Sequence, residues 1–132
     1  MLQALPDKQR ATLCRKLEAR YGVVRGEIHA GLLASDNENY RQLAGEVPDS
    51  GDESLADLLV DVRLAEIDRD LEEVRDIEAA QERMREGNYG ICIVCGTAIP
   101  YERLQAYPTA KRCELCQRKH EHETRATRIA TL

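Results

Sequence analysis

Gly87-Asn88-Tyr89-Gly90-Ile91-Cys92-Ile93-Val94-Cys95-Gly96, answered by Cys113-Glu114-Leu115-Cys116, decides how this chain folds. Together the two pairs read C-x2-C-x17-C-x2-C, within the spacing of structural zinc sites. Each C-x2-C turn points two sulfurs at one ion, and two such knuckles complete a tetrahedron. Cys92, Cys95, Cys113 and Cys116 are therefore the candidate metal ligands. Four thiolates leave no open position for water, so the site is structural rather than catalytic. Its charge of -2 has Lys111, Arg112, Arg118 and Lys119 close by in sequence to offset it. A thioredoxin-type redox pair would want a single C-x2-C beside a βαβ pattern, and none is present. Disulfides would call for a secreted chain. His120 and His122 follow the last knuckle and are rival ligands, but four sulfurs already fill the sphere. One structural zinc ion is the expected cofactor.

Composition explains why such a clamp is needed. Among 132 residues there is no Phe or Trp, and the only aromatics are five Tyr. A deep enzyme core normally draws on bulky aromatics. The last 46 residues cannot easily fold on apolar burial alone. Zinc contributes roughly 10–16 kcal/mol in small finger peptides, enough to decide the matter. No nucleophile with a base, Gly-rich phosphate loop or open metal site is visible, so an enzyme is not expected.

Upstream lie two helical patterns. Asp7 after Pro6 is placed to cap the first. Leu13, Leu17, Tyr21, Val24, Ile28 and Leu32 then form one stripe at steps of three and four. Gly22, Gly26 and Gly31 weaken that helix but leave room for a partner helix to come close. Cys14, the unpaired fifth cysteine, reads as a small buried or half-buried residue, and His29 as a surface residue. Ser35 to Asn39 is polar and bends the pattern before Tyr40 and Leu43 resume it. Gly45-Glu46-Val47-Pro48-Asp49-Ser50-Gly51-Asp52 is a turn. Val60, Leu64, Ile67, Leu71 and Val74 then form a heptad seam, supported by surface pairs such as Glu66 with Arg69 and Glu72 with Arg75. A continuous second arm from Glu53 to Glu86 would reach roughly 50 Å.

The expected fold is mainly α: a long antiparallel helical hairpin (coiled coil), residues 1–86, with its tip turn near 45–54. A small four-cysteine zinc finger and a C-terminal helix, residues 87–132, follow. Charge divides the chain in a similar way. Residues 53–86 hold 5 basic against 12 acidic side chains, and residues 87–132 hold 7 against 4. The whole chain carries -5, which disfavours a protein that coats DNA. No run of eighteen apolar residues could span a membrane. Met1 to Arg10 lacks a signal-peptide core, so the cytoplasm is the expected location.

A helical hairpin, an acidic turn and this finger together resemble the DksA/TraR family of bacterial transcription factors. The G-x-Y-G-x-C-x-x-C-G opening carries the likeness, with Ile99-Pro100-Tyr101-Glu102-Arg103-Leu104 and Ala106-Tyr107-Pro108-Thr109-Ala110 before the second cysteine pair. The resemblance implies a partner, RNA polymerase, whose secondary channel admits the hairpin, and an acidic tip that alters promoter complexes. The family's Asp-x-x-Asp-x-Ala tip falls on Asp49, Asp52 and Ser54, with Ser in place of Ala. Read as turn chemistry alone, the same two acids stabilise the turn and cap the second helix. Members that respond to the alarmone ppGpp place basic residues where this chain has Asp76, Tyr107 and Gln117, which implies a weak or absent response. The resemblance implies a monomer without sequence-specific DNA binding. The rivals are a zinc-stabilised adaptor and a DNA-binding regulator. The latter would read DNA with Arg118, Lys119, Arg125 and Arg128, but Glu121 and Glu123 interrupt that helix.

Overall fold

The computed structural model describes residues 5–49 and 53–130. Among the described residues six α-helices form: α1 Asp7–Leu33, α2 Glu38–Ala44, α3 Leu55–Leu58, α4 Asp68–Glu86, α5 Tyr101–Ala106 and α6 Glu114–Ala130. One 3₁₀ turn, Ala65–Ile67, leads into α4. Among the described residues, β pairing is limited to one antiparallel bridge between Ile91 and Ala98.

Helix α1 buries all six residues of its stripe, Leu13, Leu17, Tyr21, Val24, Ile28 and Leu32. Against it α4 runs antiparallel and buries Leu71, Val74, Ile77 and Ala80. Arg20 grips Glu73 across the pair with two hydrogen bonds, and this holds the Glu73 carboxyl below its ordinary range. The pairs expected at Glu66–Arg69 and Glu72–Arg75 are not among the ion pairs formed. Asp7 does not cap. Pro6 occupies the cap position and Asp7 sits one residue inside, bonded to Arg10 at 3.1 Å. The fixed φ of Pro6, -53°, starts the helix. The acid there still favours the positive end of the helix dipole.

The three α1 glycines divide. A Cβ on Gly31 would collide with Ile67 Cγ2, so the returning chain packs directly on Gly31. Gly22 and Gly26 face open space.

The second arm is not one helix. It breaks after Leu58, passes through extended Leu64 and resumes as the 19-residue α4, about 28 Å long. The break has a packing cause. Leu55, Leu59 and Val62 are all buried and form a stripe of their own, out of register with Ile67, Leu71 and Val74. A continuous helix could bury only one of these sets. Breaking it buries both and leaves Val60, expected on the seam, 56% exposed. The first arm also ends early, at Leu33, and Asn37 caps α2 by accepting from the Asn39 N–H at 2.8 Å. No helix of the described residues is long and apolar enough to cross a membrane.

Gly31→Ala is expected to destabilise the fold by about 1–3 kcal/mol through overpacking. Gly22→Ala and Gly26→Ala are expected to stabilise it by about 0.5–1 kcal/mol through helix propensity. Urea unfolding midpoints of the three variants would separate them.

Candidate metal centre and the acidic turn

The approach to the first knuckle accounts for its glycines. Gly87 ends α4 in the left-handed conformation at φ 82°. Gly90 adopts φ 84° and lies where a Cβ would meet Leu5 Cδ1 at 3.2 Å and Leu104 Cδ1 at 3.5 Å. Between them Tyr89 is buried and donates its hydroxyl to the Pro108 carbonyl at 2.7 Å. Burial pushes its phenol up to about 12, so it stays protonated as a donor. The two knuckles are then stitched together. Cys92 N–H donates to Thr97 O at 2.8 Å, Gly96 N–H to Cys92 O at 3.0 Å, and Ile93 N–H to Lys111 O at 2.9 Å. Arg83 reaches from α4 to Thr109 O, and Lys16 from α1 to Gln105 O, both at 3.3 Å.

This frame gathers all four predicted ligands. The sulfurs of Cys92, Cys95, Cys113 and Cys116 lie within 4.8 Å of one another. Cys95 and Cys113 stand 3.8 Å apart, the edge of a tetrahedron whose Zn–S bonds are about 2.3 Å. The residues fit a zinc ion, and the protein holds one structural zinc through these four cysteines. His120 and His122 lie outside the cluster, exposed on α6.

The sulfurs are unequal. Burial works to raise the Cys92 thiol, but N–H groups of Cys95, Cys113 and Val94 outweigh it and bring it down to about 6. Thr97, with its hydroxyl 2.9 Å away, lowers Cys95. Hydrogen bonding to Cys113, with burial, pushes Cys116 up to about 12. Thr97 had no signal in the spacing beyond lying two residues after a ligand. Of the nearby cations, Arg118 is turned to Glu114 at 2.5 Å rather than to sulfur.

Pro48, Asp49 and Ser54, which flank the acidic turn, are held beside the hairpin rather than at its far end. After α2, the chain runs back along α1, and Arg25 donates to Pro48 O at 3.2 Å and approaches Asp49 at 3.6 Å. Arg25 is eight residues, about 12 Å, short of the end of α1. The Asp49 carboxylate is fully exposed. Ser54 caps α3, accepting from Asp57 N–H at 3.0 Å, and donates to Glu78 midway along α4 at 2.6 Å. Asp52 lies outside the described residues. The expected tip position is thus corrected for Asp49 and Ser54, because burying Leu55, Leu59 and Val62 pulls this segment inward. Arg25 and Glu78, the partners of the turn, were not singled out by periodicity, since each reads as an ordinary charge on a helix face. Asp76, Tyr107 and Gln117 do come together, lining one groove of about 640 Å³ with Arg103, Lys111 and Arg118.

A closed four-sulfur centre at the foot of a helical hairpin defines a structural zinc-finger protein. Residues 87–122 match the prokaryotic DksA/TraR C4-type zinc finger, and the chain belongs to the DksA/TraR family. It is 32% identical over 115 residues to General stress protein 16O of Bacillus subtilis (strain 168), covering 82% of this chain and 66% of that one. With the RNA polymerase-binding transcription factor DksA of Escherichia coli (strain K12) it shares 28% identity over 111 residues, 84% of this chain and 70% of that one. The solved structure of transcription factor DksA2 from Pseudomonas aeruginosa is similar at a TM-score of 0.48 and 24% identity, covering 90% of this chain and 84% of that one. The chain spans about two thirds of the length of the two sequence relatives.

Chelating the zinc is expected to unfold the finger, residues 87–116, while α1 and α4 stay helical. Circular dichroism with limited proteolysis before and after chelation checks this, and unchanged protease resistance contradicts it. Zinc uptake must displace thiol protons, so affinity should fall as pH drops from 8 to 6. A zinc-indicator competition reads it. Tyr89→Phe removes one buried hydrogen bond and should cost about 1–2 kcal/mol by thermal unfolding of the zinc-loaded protein.

Proposed function

We propose that this protein is a bacterial transcription regulator that binds RNA polymerase, acting as a monomer. The helical hairpin enters the secondary channel, and Asp49 and Asp52 act on promoter complexes near the active-site Mg²⁺. An acidic group thrust toward a bound cation can perturb the ion and its ligands by charge and hydrogen bonding, without doing chemistry. The observation that carries this reading is a family finger fixed to the base of a hairpin whose turn presents the unburied carboxylate of Asp49. The DNA-binding rival has less support. Helix α6 is exposed, but its Arg118 is tied to Glu114, and the chain is acidic overall.

Alarmone response is proposed to be weak. In the groove that gathers the three relevant positions, Asp76 is a carboxyl raised by desolvation against its neighbours and held down in part by Lys111. An incoming phosphate would face that acid, and Tyr107 and Gln117 bring no charge.

In vitro transcription from a ribosomal RNA promoter tests the proposal. The wild type should shift the output, and Asp52→Asn should reduce the effect by about tenfold in required concentration, corresponding to about 1.4 kcal/mol. Equal effects from both proteins would remove that acid from the mechanism. Absence of polymerase binding by the wild type would leave the adaptor reading in front.

A further inference from the structure

The hydrogen bonds around Glu78 tie the segment at Ser54 to the middle of α4. Its carboxylate accepts from Ser54 Oγ at 2.6 Å, from the Leu55 N–H at 2.9 Å and from the Ala56 N–H at 3.3 Å. The first N–H groups of a helix have no partner within the helix, and an acid is favoured beside them. Glu78 supplies this from another helix, more than twenty residues along the chain. On the far side of the same turn, Arg25 holds Pro48 and Asp49. The Tyr40 hydroxyl accepts from the Arg63 N–H at 3.2 Å, joining the outgoing and returning strands of the loop.

The sequence carries two packings for this segment. Val60, Leu64 and Ile67 continue the seam of α4 and suit a straight arm. Leu55, Leu59 and Val62 suit the folded arm and are buried there, as Ile67 is too, while Leu64 is half-buried and Val60 lies 56% exposed. We infer that residues 54–64 are an autoinhibitory arm latched by Glu78, which keeps Asp49 and Ser54 beside the hairpin until the arm straightens along the alternative seam. Ser54 is the device's second half. Where the family's tip has Ala, this chain has a hydroxyl that both caps α3 and donates to Glu78. Restoring Ala removes both bonds and leaves the apolar packing untouched. The regulatory meaning rests on the polymerase reading above, while the latch itself does not.

Hydrogen exchange of the full zinc-loaded chain, read by mass spectrometry, tests the latch without polymerase. Amides of residues 54–62 should exchange about tenfold faster in Ser54→Ala and in Glu78→Gln, with α1 and α4 peptides unchanged. Glu82→Gln, an exposed change one turn further along α4, should leave the pattern as in the wild type. Unaltered exchange in both latch variants overturns the latch. In transcription assays the two variants should act at about a tenth of the wild-type concentration. If exchange quickens and the wild type binds polymerase, yet no gain in potency follows, the autoinhibitory role is overturned. If no variant binds polymerase, the functional reading fails and the exchange result alone judges the latch.

Discussion

A single apolar stripe on α1 is the surface on which nearly everything else rests. Leu13 to Leu32 are buried in unbroken helical register, and α2, the 3₁₀ turn, α4 and α5 all pack on that helix. With no Phe or Trp to fill a deep core, the chain relies on aliphatic side chains along one line. A line rather than a centre leaves much of α4 and all described side chains of α6 beyond its first turns in solvent.

Two polar devices set what the stripe cannot. At the foot, four sulfurs around one ion replace the core that the finger lacks, and Tyr89 and Arg83 fasten the finger to its own loop and to α4. Higher up, Glu78 and Arg25 fix a loop that apolar burial alone would leave free to slide. Both devices satisfy backbone groups that would otherwise lack partners, and both are made by residues far apart in sequence.

Much of this was legible beforehand, and the limits have physical causes. Cysteine spacing located the metal centre because four ligands at a fixed bond length restrict the geometry tightly. The α1 stripe read correctly in every position, since nothing competed with it. The second arm did not. There the heptad from Val60 and the stripe from Leu55 overlap, periodicity ranks both as helix, and only the space beside α1 and α4 decides between them. The same overlap bears on Asp49 and Ser54, because a straight arm puts them at the end and a folded one sets them beside Arg25 and Glu78. Gly31 could be told from Gly22 and Gly26 only once Ile67 was seen against it.

The joints of the hairpin also have an order in time. Arg20 and Glu73 are 53 residues apart in the chain, whereas Lys16 and Gln105 are 89 apart, and Leu5 reaches nearly as far around to cover Gly90. Closing a longer loop costs more chain entropy before any contact rewards it. The cysteine knuckles, by contrast, span a short loop that a metal ion can close by itself. Chain entropy alone therefore favours closing the hairpin near Gly31 and Ile67 and the metal loop of the finger ahead of the joints between them, such as Lys16 with Gln105 and Leu5 with Gly90.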